Sequence, residues 1–434
     1  MEKDNKIKVM IISDHPYSPS GVGNQTRYMM ESLLRSGKFK VVSIAGAVKH
    51  ENYNVQKTEE WGDDLKILPV DGYGDANAVR SVIRIERPDI LWIMTDPRFY
   101  EWLWSIENEV RPLVPLVYYH VWDNYPYPTY NAKFYNSNDM IVSISKLTND
   151  IVKTVSPDVD LRHVPHAVDP LIFNKKTDLK ISELRKNIFE DNLYNSEEKE
   201  KMIFFWNNRN ARRKQSGSLI YWYKELIDKV GHDKCVLLMH TDPKDPHGQD
   251  LEAIVRELDL VDGQVLLSRQ KLAPEKIAEL YNIADCTINI SDAEGFGLSA
   301  LESMACGTPI IVNLTGGLQD QVTDGENWFG IGIEPVSKAI IGSQQVPFIY
   351  EDRLNSDDVV SAMHEMYELW LEKEDDEQSE YKKMAKLGLE NVDKNFNFGK
   401  LCESWVEIMS EVHEKHGSWD NRKNYKSWEC IELT

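Results

Sequence analysis

The sequence predicts an α/β protein built from two doubly wound domains, each with a parallel sheet covered by helices. The chain has 434 residues, a length that favours two domains. Short apolar runs alternate along it with segments whose apolar residues recur at helical spacing. The alternation occurs in two successive series, and alternating strands and helices form parallel sheets with helices on their faces. We therefore expect one such sheet in each half of the chain.

The apolar runs define the predicted elements. In the first half, strands are predicted at Lys8–Ser13, Val41–Ala45, Ile90–Met94, Leu116–His120 and Met140–Ser143. In the second half, they are predicted at Met202–Trp206, Val236–Met239, Gln264–Leu267, Thr287–Ile290 and Ile310–Val312. Helices are predicted at Gln25–Ser36, Gln215–Val230, Asp250–Leu258 and Pro274–Ile283. The charged stretch 175–201 is predicted to be a linker or a peripheral helix, and residues 331–355 an ordered excursion.

Composition excludes several classes of protein. There is no run of 18 apolar residues, so no membrane span is expected. The charged N-terminal residues lead directly into a predicted strand, which is not the pattern of a signal peptide. The five cysteines have no close pairs, which argues against a disulfide framework or a zinc site. We expect a cytoplasmic protein.

The negative charge is unevenly distributed. The total of −21 disfavours broad, nonspecific affinity for nucleic acid. Residues 1–172 contain 19 Lys and Arg and 23 Asp and Glu, a formal charge of −4, so the rest of the chain carries −17. The first half is therefore nearly neutral. Its charge disfavours binding of a polyanionic acceptor less than the charge of the whole chain suggests.

The stretch 291–309 carries the most specific pattern. Glu294 lies in a glycine-containing turn after a predicted strand, and Glu302 lies about one turn into the helix that follows. The start of this helix, near Gly297 and Leu298, offers free backbone N–H groups to an anion. Two carboxylates beside an anion site suit a ligand that has both hydroxyls and phosphates, such as a sugar nucleotide.

A basic loop follows the first predicted strand of the second half. It contains Arg209, Arg212, Arg213 and Lys214. Cations held in place before reaction stabilise the charge that develops on a departing nucleoside diphosphate. An arginine can bind phosphate through two N–H groups, whereas a lysine acts as a point charge.

These motifs carry a family resemblance. Glu294 and Glu302, with Gly295–Gly297 between them and Ala305–Pro309 after them, resemble the donor-site signature of retaining glycosyltransferases of the GT-B fold, group 1 (family 4). Other segments also resemble motifs of this family. In chain order they are Ser20–Gly23, Val164–Asp169 with Phe173, Arg209–Lys214 and Gly316–Gly317.

The resemblance implies a domain organisation. It implies two Rossmann-like domains that face a central cleft. Residues 1–172 would form an N-terminal domain that binds the acceptor, and residues 173–415 a C-terminal domain that binds the nucleotide sugar. The tail from about residue 416 to residue 434 would pack back on the first domain.

The resemblance also implies roles in the second domain. Arg209 and Lys214 would bind the diphosphate, Glu302 the ribose hydroxyls and Glu294 the hydroxyls of the transferred sugar. The backbone around Phe296, Gly297 and Leu298 would hold the diphosphate, and Arg269 would lie near the base.

In the first domain, the resemblance implies that Gly21 and Gly23 approach the donor phosphate from across the cleft. His120 matches a family histidine that points to the transferred sugar, so the predicted catalytic residues are Glu294, His120, Arg209 and Lys214.

The acceptor is predicted to bind beside His120. Aromatic side chains are concentrated there, and Trp122, Tyr125 and Tyr127 are the candidate acceptor residues. Prolines make the segment Tyr125–Pro128 a rigid turn. Aromatic faces stack on sugars and on unpaired bases alike.

Two other enzyme classes fit the sequence less well. A glycosidase would also use two carboxylates, but it does not need the basic loop. A dehydrogenase is disfavoured because Thr26 occupies the third glycine position of the dinucleotide pattern. No divalent metal is expected, since the one Asp-x-Asp, Asp158–Asp160, lies away from the donor motifs. No prosthetic group is expected either.

The function predicted from the sequence is that of a retaining glycosyltransferase. It would move a sugar from a UDP- or GDP-linked donor to a hydroxyl of a saccharide or glycoconjugate. A modified base in phage-type DNA is the alternative acceptor. An alternative of another class is a sugar-nucleotide-binding protein without catalysis.

Overall fold

A computed structural model describes residues 5–123, 127–189, 201–374 and 379–426. Contacts divide the chain into two compact units. The first comprises residues 1–122, 126–166 and 399–434, and the second comprises residues 123–125 and 167–398. The sequence-based boundary, by comparison, lies after residue 172, and the predicted return to the first unit begins near residue 416.

The first unit contains a seven-stranded parallel sheet in the order β3-β2-β1-β4-β5-β6-β7. Its strands are β1 (Ile7–Asp14), β2 (Phe39–Gly46), β3 (Leu65–Pro69), β4 (Ile90–Met94), β5 (Leu116–His120), β6 (Met140–Ser143) and β7 (Leu161–His163). The register places Val9 of β1 opposite Val41 of β2 and Ile90 of β4. All three side chains are buried, as expected for central strands covered on both faces.

The second unit contains a six-stranded parallel sheet in the order β10-β9-β8-β11-β12-β13, together with a two-stranded hairpin. The sheet strands are β8 (Met202–Asn207), β9 (Cys235–His240), β10 (Val265–Ser268), β11 (Cys286–Asn289), β12 (Ile310–Asn313) and β13 (Gly330–Ile333). The antiparallel hairpin consists of β14 (Ser337–Ile341) and β15 (Ile349–Arg353).

Helices connect and cover the strands of both sheets. In the first half they are α1 (Gly21–Arg35), α2 (Ala76–Glu86), α3 (Glu101–Trp104), α4 (Glu107–Val110), α5 (Ala132–Asn136) and α6 (Lys146–Val155). The next are α7 (Asp178–Phe189), α8 (Ser216–Val230), α9 (Leu251–Glu257), α10 (Pro274–Ile283), α11 (Leu298–Ala305) and α12 (Gln319–Val322). The last are α13 (Ser356–Leu371), α14 (Glu380–Asn395) and α15 (Phe398–His416).

The predicted fold class is confirmed, because each half of the chain forms a parallel sheet with intervening helices. The ends of some elements differ from the prediction. Helix α1 begins four residues before the predicted Gln25, because the side chain of Ser20 caps it by accepting a hydrogen bond from the Gly23 N–H. The stretch predicted as a linker or peripheral helix contains α7, and its residues 190–200 lie outside the described part of the chain.

The last long helix, α15, packs on the first unit. Trp405 is 1% exposed. Its ring meets that of Trp92 edge-on at 5.8 Å and that of Tyr119 at 4.8 Å. Large aromatic contacts of this kind contribute strongly to a core. The return of the chain therefore begins at the start of α15, before the predicted tail.

The described residues contain free cysteines and helices of ordinary length and polarity. None of the described helices has the length and apolar character needed to cross a membrane. Cys235, Cys286, Cys306 and Cys402, the cysteines within the described ranges, are free thiols.

Candidate functional site

Three adjacent strands of the second sheet bring the sequence motifs together. Strands β8, β11 and β12 are neighbours and run parallel, so their carboxyl ends lie at one edge. The basic loop follows β8, the Glu294 turn follows β11, and Gly316–Gly317 follow β12. Ligands of open α/β sheets bind at this kind of edge.

Lys214 and Glu294 form an ion pair at this edge. Lys214 Nζ donates a hydrogen bond to Glu294 Oε2, and their side chains are only 9% and 14% exposed. Burial and the nearby charge of Arg213 lower the pKa of Lys214 to about 8, although the carboxylate of Glu294 opposes this shift. Burial raises the pKa of Glu294, but the cations Lys214 and Arg213 outweigh it and leave that pKa below its usual value.

The turn before α11 depends on a glycine. Gly297 has φ 91°, in the left-handed region that favours glycine, and it precedes the first residue of the helix, Leu298. A Cβ at Gly297 would lie 2.4 Å from Leu318 Cδ2. Gln321 Nε2 also donates to the carbonyl oxygens of Phe296 and Gly297, the latter at 3.2 Å. The backbone at the start of α11 is thus fixed, and the first N–H groups of a helix have no partners within the helix.

The Glu294 turn rests against the backbone of Gly316–Gly317. The Gly317 N–H donates to the Glu294 carbonyl oxygen at 2.9 Å. Gly316 has φ 51°, and a Cβ there would lie 1.9 Å from the same carbonyl oxygen. Only glycine permits this approach, which explains why the glycine pair follows β12.

Glu302 lies on α11 and is partly exposed. Tyr281 of α10 donates its hydroxyl to Glu302 Oε2 at 2.8 Å, and Asn207, at the end of β8, donates to that hydroxyl at 2.9 Å. Burial raises the pKa of Glu302 to about 7, against the opposing effect of the Tyr281 hydrogen bond. The carboxylate is oriented by this chain of hydrogen bonds and titrates near neutral pH.

Arg209 and Arg269 pair with Asp245 and Glu252, which lie in the loop after β9 and in α9. Arg209 Nε and Nη2 lie 2.7 and 3.2 Å from the two carboxylate oxygens of Asp245, in the loop after β9. Its Nη2 is also 2.8 Å from His247 Nδ1. Arg269 Nη2 lies 2.6 Å from Glu252 Oε1. Both arginine side chains are 60% exposed, and each is paired with an acidic side chain.

The glycines of the first unit begin helix α1. The Gly23 N–H donates to Ser20 Oγ at 2.9 Å, and Ser20 Oγ donates to Asp14 Oδ2 at 2.6 Å. Tyr73 donates its hydroxyl to Asp14 Oδ1 at 2.7 Å. Gly21 is the first residue of the helix. The Gly23 N–H therefore already donates a hydrogen bond to the capping side chain of Ser20.

His120 differs from its predicted environment. The side chain is fully buried in the first unit, with Nδ1 3.0 Å from the Tyr118 hydroxyl and Nε2 2.7 Å from the Tyr135 hydroxyl. Burial lowers the pKa of His120 to about 3, so the ring is neutral. A neutral imidazole has one donor and one acceptor nitrogen, and both are engaged here. The role of His120 toward the transferred sugar stays a prediction.

The predicted acceptor residues have different environments. Trp122 is 5% exposed, its ring lies edge-on to Tyr130, and its carbonyl accepts a hydrogen bond from Thr148 Oγ1 at 2.9 Å. Its role in acceptor binding stays a prediction. Tyr127 is partly exposed. Tyr125 lies outside the described residues.

Sequence reasoning missed an ionic cluster beside Lys214 whose two carboxylates are buried. Its members are Arg212, Asp292, Glu351 and Arg353. Asp292 and Glu351 are each 2% exposed. The available signals were weak: Asp292 is two residues from Glu294, and Glu351 and Arg353 alternate along β15. Within the described ranges, no group of three or more His, Cys, Asp and Glu side chains could hold a metal ion.

Comparison with known proteins finds a family model and a relative that resemble parts of this chain. Residues 189–341 match the model of the family described as Glycosyl transferases group 1. N-acetyl-alpha-D-glucosaminyl L-malate synthase of Bacillus anthracis is 24% identical over 233 residues, which are 53% of this chain and 55% of that protein. The chain thus spans about half the length of this relative.

Two solved structures are similar over most of the chain. Sucrose-phosphate synthase from Thermosynechococcus elongatus has a TM-score of 0.73 and 16% identity, covering 94% of this chain and 100% of that one. Anabaena HepE in complex with UDP and glucose has a TM-score of 0.65 and 13% identity, covering 93% and 100%. At these identities, the two likenesses show a shared fold.

Proposed function

We propose that this chain, a group 1 glycosyltransferase with the GT-B fold, is a retaining enzyme that uses a nucleoside-diphosphate sugar. In this proposal the second unit binds the donor. The transferred sugar goes to a hydroxyl of a saccharide or glycoconjugate held by the first unit.

The observation that carries the proposal is the Lys214–Glu294 pair beside the start of α11. At this place a cation, a carboxylate and the N-terminus of an eight-residue helix lie together at the carboxyl ends of adjacent strands. Lys214 and the backbone N–H groups of Leu298 and its neighbours would bind the diphosphate. Glu294 would accept hydrogen bonds from the sugar, and Glu302 from the ribose.

The proposed reaction proceeds on one face of the sugar. The acceptor oxygen bonds to the anomeric carbon while the bond from that carbon to the phosphate oxygen breaks. The bonding electrons leave with the nucleoside diphosphate, and the acceptor proton passes to one of its phosphate oxygens. Lys214 stabilises the negative charge of the leaving group, which lowers the barrier because the cation is in place beforehand. Arg209 would add to this stabilisation.

The donor is proposed to carry UDP or GDP. UDP is favoured by the structural similarity to HepE, which was solved with UDP and glucose. Transfer to a hydroxyl of a small molecule is favoured by the name of the Bacillus anthracis relative, an N-acetyl-alpha-D-glucosaminyl L-malate synthase, which joins the sugar to malate.

A turnover assay with several sugar nucleotides tests this function. The purified chain is incubated with UDP-glucose, UDP-N-acetylglucosamine and GDP-mannose, and release of nucleoside diphosphate is measured with and without candidate saccharides. We expect release with at least one donor and faster release when the acceptor is present. Tight binding of a donor without any release would instead support a non-catalytic binding protein.

A salt titration of the same assay distinguishes the acceptor classes. A saccharide acceptor should give a Michaelis constant with weak dependence on salt. Glycosylation of DNA containing a modified base would instead weaken steeply with salt through counterion release.

A further inference from the structure

We propose that the β14–β15 hairpin positions the Lys214–Glu294 pair through Glu351 and Arg353. This inference rests on the proposed function, because it assigns positioning residues to that same site. The hairpin is not part of the second sheet, and its strand β15 lies beyond residue 341, where the match to the family model ends. Glu351 and Arg353 are therefore outside the segment that carries the family pattern.

Glu351 anchors the loop that contains Lys214. Its two carboxylate oxygens accept hydrogen bonds from Arg212 Nη1 and Nη2 at 2.9 and 2.6 Å, a paired arrangement with strong directionality. Arg353 Nη2 donates to Glu351 Oε2 at 2.9 Å. Burial raises the pKa of Glu351, but the hydrogen bonds from Arg212 and Arg353 hold it below its usual value. The carboxylate is therefore charged and tied to both arginines.

Asp292 connects the hairpin to the Glu294 turn. Arg353 Nη1 lies 2.5 Å from Asp292 Oδ2. The Asp352 N–H of β15 donates to the Asp292 carbonyl at 2.9 Å, and the Asp292 N–H donates to the Arg213 carbonyl at 2.8 Å. A continuous set of hydrogen bonds thus joins the hairpin, the Glu294 turn and the loop preceding Lys214.

Asp292 also fixes the backbone immediately after Lys214. Gln215 has φ 58°, in the left-handed region that is unfavourable for a residue with a side chain. Gln215 Nε2 donates to both carboxylate oxygens of Asp292 at 2.8 Å, and Gln215 Oε1 accepts from Ser218 Oγ at 2.7 Å. These bonds hold Gln215 in its uncommon conformation, and that conformation directs the adjacent Lys214 toward Glu294.

The cluster contains two carboxylates and two guanidinium groups. Because Asp292 and Glu351 are buried, removing one charge leaves the others incompletely compensated. The arginines would then rearrange, and Arg212 belongs to the same short turn as Lys214. Loss of Glu351 should therefore move Lys214 even though the two side chains do not touch in the network described above.

Chemical labelling of Lys214 tests this inference in the full chain without any donor. Reductive methylation of Lys214 is followed by peptide mass spectrometry in wild type, Glu351→Gln and the control Glu334→Gln. Glu334 is an exposed glutamate three residues before β14. We expect labelling about tenfold faster in Glu351→Gln and unchanged in Glu334→Gln, the size of effect seen between coupled residues. Labelling at the wild-type rate in a folded Glu351→Gln protein would overturn the inference.

Turnover of UDP-glucose, or of whichever donor in the panel is used, provides the second arm. Glu351→Gln should lower kcat about tenfold in the wild-type background and less than about twofold in a Lys214→Met background. Glu351→Asp, which retains the charge, should recover part of the loss. Equal losses in both backgrounds would contradict action through Lys214. If thermal unfolding shows that Glu351→Gln is not folded, Arg353→Gln replaces it, because it also removes one charge of the cluster and should give the same pattern.

The two arms separate this inference from the proposed function. Absence of turnover in wild type counts against the proposed function but leaves the labelling result to decide the positioning role. Turnover in wild type with unaffected Glu351→Gln counts against the positioning role alone.

Discussion

Lys214 Nζ donates a hydrogen bond to Glu294 Oε2, although the two residues are 80 positions apart in the sequence. They follow neighbouring parallel strands, β8 and β11, and meet at the edge where those strands end. The family resemblance implies that Lys214 binds the diphosphate and Glu294 the sugar. In the proposed complex, their contact point lies where the bond between sugar and phosphate would be broken, so we expect the pair to respond strongly to pH and to substitution.

Turnover should have a bell-shaped pH dependence. Glu302 must be ionised to accept hydrogen bonds from the ribose, so kcat/KM should rise as pH increases through about 7. Lys214 must be protonated to stabilise the leaving group, so kcat/KM should fall as pH increases through about 8. The measurement is kcat/KM for the donor from about pH 5.5 to about pH 9.5.

The Glu302→Gln variant is the matched control for this profile. Its acid limb should move toward pH 6, where burial places the pKa of Asp292 at about 6. Its basic limb should remain, because Lys214 is unchanged. An acid limb that stays at pH 7 in the variant would show that another group controls it.

Trp122 and Tyr127 should respond differently to replacement by alanine. Because Trp122 is 5% exposed, Trp122→Ala should lower the free energy of unfolding by about 3–5 kcal/mol, measured by urea denaturation. Tyr127→Ala should change stability little and should raise the Michaelis constant for the acceptor. Should Trp122→Ala leave stability unchanged while weakening acceptor binding, the aromatic ring faces the acceptor after all.

Catalysis should proceed without a divalent metal. Lys214 and the helix N-terminus supply positive electrostatic potential for the diphosphate in the proposed complex. The check is the transfer rate after exhaustive treatment with a chelator, compared with the rate after adding back magnesium or manganese. Complete loss of activity, restored by either ion, would contradict the prediction.

The configuration at the anomeric carbon should be retained. An α-linked donor should give an α-linked product, since acceptor attack and leaving-group departure occur on one face of the sugar. Proton NMR of the first product distinguishes the anomers by their coupling constants. A β-linked product would rule out the proposed reaction course while leaving the fold assignment untouched.

Much of the fold is visible in the sequence because the core strands are apolar and continuous, as at Ile90–Met94 and Ile310–Val312. The strands that were missed lack that signal. Strand β7 is three residues long and partly exposed, and β13 reads Gly-Ile-Gly-Ile, with glycines that have weak strand preference.

The site was predictable where its residues are contiguous. Glu294, Gly297 and Glu302 lie within one short segment, so their pattern can be recognised from the sequence alone. The bond between Arg212 and Glu351 spans 139 positions, so local patterns do not indicate it. The hydrogen bonding of His120 likewise depends on Tyr135, whose hydroxyl lies 2.7 Å from His120 Nε2. This contact exists only in the folded chain.

The most direct test of the account is donor turnover by Lys214→Met beside a matched surface variant, Lys276→Met. Lys276 is 61% exposed and pairs with Glu279 on α10. We predict that Lys214→Met lowers kcat more than about a hundredfold, as for loss of a group that stabilises leaving-group charge, and that Arg209→Ala does so as well. Lys276→Met should match wild type. If Lys214→Met turns over the sugar nucleotide at the wild-type rate, the proposed donor site is contradicted.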